Sequence, residues 1–272
     1  MSRVSQAQLL RLGAELSERR WALLRAVAEL RLVTGGQLRR RFYGAGPSAA
    51  RLARIDLAWL HHRRILHRLE RRIGGVRAGS TGFVYALDGI GRRLLELAGG
   101  DGVSRAVSRY EPTVGFVDHA LAVSEVWAGV HEYLSDPWTG DARASVDFRG
   151  EPASWRTYLD ALGAETTLKP DAELRLTRGG YVEHVWIEVD RATERRTTLQ
   201  RKLSAYVAYF HTGQEQAQTG LFPVTAWLTT SDTRVSVIEE VIATFAPQDR
   251  QVFRVGRLSA AAPLLLSLGG DA

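Results

Sequence analysis

Asp171, Glu188 and Asp190 are carboxylates close together in "LKPDAELRLTRGGYVEHVWIEVDRATERRTTLQRKL", which runs from Leu168 to Leu203. The same stretch holds Lys169 and Lys202, the only lysines in a chain with 36 lysines and arginines. Gly179 and Gly180 read as the two loop residues of a tight hairpin, so Arg178 pairs with Tyr181. Continuing that register sets Asp171 opposite Glu188. Ala172, Leu174, Leu176, Val185, Ile187 and Val189 then share one face, and Asp171, Glu173, Arg175, His184, Trp186, Glu188 and Asp190 share the other. One face is apolar, and a one-residue slip would ruin it. Directly opposed side chains have Cβ atoms roughly 5 Å apart. Two carboxylates that close repel each other unless one is protonated or a cation bridges them. Mg²⁺ or Mn²⁺ fits such a pair, since a hard cation takes one or two carboxylates and keeps several waters. It can then activate water and neutralise charge on a phosphodiester. The plainer reading is a solvated strand face whose acids are relieved by Arg175 and His184.

The surrounding pattern is that of a layered α/β unit. A helix is expected from about Gly115 to Leu134, with Phe116, Ala120, Val123 and Trp127 on its apolar stripe. Asp118, Glu125 and Glu132 recur every seven residues and share a face. Glu125 is the one expected to lean toward the acidic cluster. After the hairpin, Leu199, Leu203, Tyr206 and Phe210 mark a buried helical stripe, and Lys202 lies on that helix. "FPVTAWLTT" reads as a strand, a further helix is capped by Asp232, and "RQVFRVG" closes the sheet.

Charge divides the chain. Residues 1–110 hold 21 Arg against 8 Asp and Glu, whereas residues 111–272 hold 15 Lys and Arg against 22 Asp and Glu. Arginine-rich coding alone would raise both halves, so the first half reads as a phosphate-binding surface. Its elements run helix, helix, longer helix, hairpin, helix. Ser17 and Thr34 are N-caps, and Ser48 caps the longer helix, whose apolar stripe is Leu52, Ile55, Trp59 and Leu60. That order is a winged helix-turn-helix, in which the second helix of the motif enters the major groove of double-stranded DNA. Ser48, Arg51 and Arg54 are the candidates for base edges. Arg63, Arg64, Arg68, Arg71, Arg72 and Arg77 are candidates for phosphates. A protein-interaction module of the same shape is the alternative.

There are no cysteines, which excludes disulfides, thiolate metal sites and a cysteine nucleophile. The first residues are charged throughout, and no stretch has the roughly 20 apolar residues of a membrane span. The expectation is a soluble cytoplasmic protein with no membrane partner.

"PDAELRL" followed by "WIEVD" resembles the PD-(D/E)-x-K nuclease superfamily. Over most of residues 17–230 the chain is similar to the replication-relaxation family of plasmids and integrative elements. "TGGQLRRRFYG", "DHALAVSEVW", "LKPDAELRL", "WIEVDRATE" and "LQRKLSAY" carry that likeness. The resemblance implies a winged helix-turn-helix over residues 1–110, a restriction-endonuclease-like α/β/α domain over 111–256 and a tail over 257–272. It also implies that Asp171 and Glu188 hold Mg²⁺ or Mn²⁺, with Asp190 completing the site and Glu125 matching an acid that some members add. The lysine position is Asp190 here. Some members carry the lysine on the following helix, which is where Lys202 lies. The implied protein binds double-stranded DNA and acts with other replication or transfer proteins in plasmid replication, relaxation or transfer, nicking DNA if the site is active. A non-catalytic regulator or relaxosome accessory is the alternative.

Overall fold

The structure, a computed structural model, describes residues 4–44, 46–69, 82–99, 112–136, 138, 144–160 and 162–268. The chain divides into two units, Met1–Ala128 and Gly129–Ala272.

The first unit runs α1 (Gln6–Ala14), α2 (Glu18–Leu30), β1 (Leu32–Thr34), α3 (Gly35–Phe42), α4 (Ala49–His62), β2 (Leu66–Leu69), β3 (Val84–Leu87) and α5 (Gly89–Leu97). The boundary falls inside α6 (Val114–Ser135). The strands form an antiparallel sheet in the order β1-β3-β2. The helix starts follow from their caps. Ser17 accepts from the Arg20 amide, and Thr34 and Gln37 satisfy each other's backbone in a capping box. Gly91 lets α5 press onto the chain, because a Cβ there would come within 2.3 Å of the Ile65 carbonyl oxygen.

Helix α4 departs from its expected stripe. Ala49, Ala53, Asp56, Leu57 and Leu60 face inward, whereas Leu52 and Ile55 are exposed. The inward face includes Asp56, a buried acid. It accepts from Arg19 Nε at 3.0 Å, Arg20 Nε at 2.8 Å and the Tyr43 hydroxyl at 2.8 Å. Those bonds pair a carboxylate that burial would otherwise leave uncompensated, so it can lie beside Ala53, Leu57 and Leu60. Ser48 is the N-cap, but its αR backbone gives no capping bond from its side chain to the described residues.

The second unit runs β4 (Ser145–Gly150), β5 (Arg156–Leu159), β6 (Glu165–Leu168), β7 (Ala172–Arg178), β8 (Tyr181–Asp190), α7 (Arg196–Thr212), α8 (Gln214–Thr219), β9 (Val224–Thr229), α9 (Asp232–Ile242), α10 (Pro247–Arg250), β10 (Phe253–Arg257) and α11 (Ala261–Ser267). The main sheet has the order β10-β9-β8-β7-β4. Strands β8, β9 and β10 are parallel, and β7 is antiparallel to both β8 and β4. Helices α7 and α9 make the crossovers that parallel neighbours require. Strands β5 and β6 form a separate hairpin. The whole chain is thus mixed α and β.

The β7–β8 register is the expected one, with Arg178 opposite Tyr181 and Ala172 opposite Ile187. Gly179 and Gly180 both have positive φ, 58° and 87°, as a two-residue primed turn demands. The polar face is largely covered, with Asp171, Arg175 and His184 keeping partial exposure. Glu173, Trp186, Glu188 and Asp190 are all buried on it, in a core with Leu199, Leu203, Tyr206, Tyr209, Trp227, Ile238 and Phe253. Each large apolar side chain buried there contributes roughly 1.5–3 kcal/mol. That burial forces every acid on the face to find a partner.

Lys169–Pro170–Asp171 separates β6 from β7; Pro170 lacks the amide that would continue the ladder. One further element differs from expectation. Helix α9 is capped by Ser231, whose side chain accepts from the Arg234 amide, with Asp232 as the first helical residue.

Candidate functional site

Asp171 stands one residue before β7. Its Oδ2 accepts from the Val189 amide at 2.7 Å. That bond fastens it to β8 beside Glu188, the residue that the register sets opposite. Glu188 is buried, and its Oε1 accepts from the Tyr206 hydroxyl at 2.5 Å. Its Oε2 lies 4.0 Å from Lys202 Nζ. Lys202 and Tyr206 are four residues apart on α7, so both reach the same strand position. Lys202 Nζ also lies 2.8 Å from Glu194 Oε1, in the connection between β8 and α7.

The electrostatics follow from this crowding. Burial and the charge of Asp171 push the Glu188 carboxyl well above its ordinary range, against the pull of Lys202 and the Tyr206 hydrogen bond. Burial, with Glu188 and Asp171, pushes the Tyr206 hydroxyl well up. Burial lowers the Lys202 amine, but Glu188, Glu194 and Asp171 outweigh it and hold it above its usual value. Two acids and an ammonium therefore share one partly enclosed place.

Asp190 is turned to other partners. Its Oδ1 accepts from the Ala192 amide at 2.7 Å, and its Oδ2 meets Arg234 Nε at 2.7 Å. Glu125 belongs to the first unit, where Gln37 Nε2 donates to it at 3.0 Å and Arg40 Nη1 at 2.7 Å. Among the described residues, no group of three His, Asp or Glu side chains is placed to hold a metal ion. Lys169 lies 4.7 Å over the Trp155 ring.

The fourth acid of the strand face, Glu173, belongs to a separate network. Arg156 Nη2 lies 3.0 Å from Glu173 Oε1, and Arg175 Nε donates to the same oxygen at 3.0 Å. Arg156 Nε also meets Glu215 at 3.2 Å, and the Tyr209 hydroxyl donates to Glu215 at 2.8 Å. Burial raises the Glu173 carboxyl, but Arg175 and Arg156 outweigh it and leave it below the usual range.

In the first unit, Ser48 at the N-cap of α4 and Arg51 and Arg54 on the helix are exposed. Arg54 Nε donates to the Ala50 carbonyl at 3.2 Å. Arg63 stacks 4.0 Å over Trp59 and lies 3.5 Å from Glu15, Arg64 lies 3.9 Å from Asp88, and Arg68 stacks 4.0 Å over Phe83. Arg71, Arg72 and Arg77 lie outside the described residues.

Sequence reasoning missed three members of the second unit's site. Glu194 ends the quoted "WIEVDRATE", Tyr206 was assigned only to a buried stripe, and Arg234 carried no local signal. The i, i+4 spacing of Lys202 and Tyr206 is the clue that could have brought Tyr206 in.

This is a two-unit protein, with an arginine-rich helical unit and an α/β unit bearing two acids and a lysine. The model of the replication-relaxation family matches residues 24–225, and the chain belongs to that family. That membership points to a role in the replication or relaxation of a plasmid or other mobile element. A search of curated proteins returned no match. Among the described residues, no helix is long and apolar enough to cross a membrane.

Proposed function

We propose that this protein binds duplex DNA of a mobile element through its first unit and nicks a strand at Asp171, Glu188 and Lys202. The observation that carries the reading is the Lys202 amine 4.0 Å from Glu188. In this reading Lys202, on the following helix, stands in for the lysine missing at position 190. Asp171 and Glu188 are the residues that would hold Mg²⁺ or Mn²⁺. They fit a hard cation because Glu188, buried beside a second acid, is stabilised as a carboxylate by any added positive charge. Such an ion supplies an activated water and charge neutralisation at the phosphodiester. Tyr206 fixes the orientation of Glu188, and Lys202 offers its ammonium to a phosphate oxygen.

Support for the first unit's role is the run α2, β1, α3, α4, β2, β3, whose three strands pair in the order β1-β3-β2, and its arginine excess. That is the order of a winged helix, with α4 as the helix that enters the major groove. Other replication or transfer proteins are the further partners this reading expects.

A second reading, a non-catalytic accessory with a nuclease-like unit, is favoured by the engagement of both Asp190 oxygens. Incubating the protein with supercoiled plasmid and Mg²⁺ or Mn²⁺, beside Glu188→Ala, separates the two. Nicking by the wild type alone supports the first. Tight DNA binding with no metal-dependent nicking on any DNA form supports the second.

A further inference from the structure

Asp190 occupies the position at which the nuclease resemblance expects a lysine, and its two oxygens have different work. Oδ1 accepts from the Ala192 amide at 2.7 Å, closing an Asx turn at the end of β8. Ala192 has φ 59°, a left-handed conformation that a residue with a Cβ seldom adopts. Backbone held in that region persists only where its surroundings over-determine it. Oδ2 meets Arg234 Nε at 2.7 Å. Arg234 Nη2 then donates to the carbonyl of Glu194 at 3.0 Å. One planar guanidinium, rooted on α9, thus grips the start of the β8–α7 connection through a side chain and its far part through the backbone. Both partners are largely enclosed, with Arg234 11% and Asp190 3% exposed at the side chain. At the end of this chain of bonds, the Glu194 carboxylate meets Lys202 Nζ at 2.8 Å.

We propose that Asp190 and Arg234 are positioning residues: they lock the 191–195 connection so that Glu194 holds the Lys202 amine against Glu188. The aspartate at the lysine position then belongs to the same device as the displaced lysine. A lysine on α7 is a long flexible side chain that is 42% exposed, and only its neighbours limit where it points. Glu194 limits it from one side and Glu188 from the other. Arg234 suits the task because its fork can bond a carboxylate and a carbonyl together, which an ammonium at that site cannot match. The inference rests on the proposed role of Lys202 for its meaning, but not for its test.

The chain's two lysines make the test direct. Full-length protein is treated briefly with an amine-acetylating reagent, and peptide mass spectrometry reads the acetylation rate of Lys202 relative to Lys169. Glu194→Gln, Asp190→Asn and Arg234→Lys are compared with the wild type, with a thermal melt for each. Release of one partly exposed ion pair is expected to raise the Lys202:Lys169 ratio about two- to fivefold. Arg234→Lys, which keeps the charge and loses the fork, is expected to raise it as Asp190→Asn does. Glu194→Gln changes a side chain that is 31% exposed and is expected to keep the fold, so it carries the test if the other two melt early. An unchanged ratio in folded Glu194→Gln overturns the proposal, as does a wild-type ratio in folded Arg234→Lys. Nicking assayed on the same samples separates the two claims. A shifted ratio without wild-type nicking removes the proposed activity and leaves the positioning device. Wild-type nicking with unshifted ratios does the reverse.

Discussion

Tyr206 donates its hydroxyl hydrogen to Glu188 Oε1 across 2.5 Å, in a place where both side chains are buried. Tyr206→Phe keeps the ring packed against Trp227 and Phe253 and removes only this donor. The buried Glu188 oxygen then lacks that bond, at a cost of about 1–3 kcal/mol. Urea unfolding of the two proteins measures it, and an unchanged midpoint would show that the bond is not formed in solution.

Stability should fall with rising pH because of Glu188. Its folded value is raised above the ordinary 4.5, so between the two values the folded chain holds a proton that the unfolded chain has lost. The stabilising contribution is full below the ordinary value and disappears as pH rises through the raised one. Glu188→Gln carries no such group. The melting temperature of the wild type is expected to drop relative to that of Glu188→Gln on going from about pH 5 to about pH 9. Parallel curves would contradict the burial argument. Glu173 works in the opposite sense, since its value is lowered, and its contribution is lost as pH falls.

Arg156 is the shared cation of two buried acids, Glu173 and Glu215. Arg156→Ala leaves Glu215 without it and Glu173 with Arg175 as its remaining arginine partner. Removing one member of a buried ion cluster typically costs about 3–5 kcal/mol. The expected result is early unfolding of the second unit, read by denaturant titration. A loss below about 1 kcal/mol, the worth of a surface pair, would show that the cluster is solvated.

Arg51 and Arg54 are exposed on α4, and DNA binding by the first unit predicts distinct signatures for them. An arginine on a base edge should lose sequence discrimination by about 1–3 kcal/mol on replacement by alanine. An arginine on a phosphate should weaken all duplexes alike and reduce the salt slope by about 1. Equilibrium binding across a salt series measures both. Wild-type affinity that does not fall with salt would contradict the DNA-binding reading.

The legible parts of the fold were those set by local chemistry. Two adjacent glycines and strict alternation gave the β7–β8 register as far as Ala172 opposite Ile187, which leaves Asp171 next in line, bonded to the Val189 amide beside Glu188. Which face is covered was not legible, because alternation separates two faces without saying what packs on them. Trp186 on the polar face was the available hint. The inward face of α4 was misjudged because Asp56 is buried by partners from α2 and Tyr43, 13 to 37 residues away. Lys202 stood out against a background of arginine. The Asp190–Arg234 pair did not, since its partners are 44 residues apart and each alone reads as a surface charge.

The most direct test of the account is metal-dependent nicking of supercoiled plasmid by the wild type, Lys202→Ala and Lys202→Arg. The wild type is expected to nick, the alanine variant to lose about 10²–10³ in rate, the usual cost of removing one group that stabilises transition-state charge, and arginine to restore part of it. Equal nicking by the wild type and Lys202→Ala would contradict a site in which α7 supplies the missing lysine.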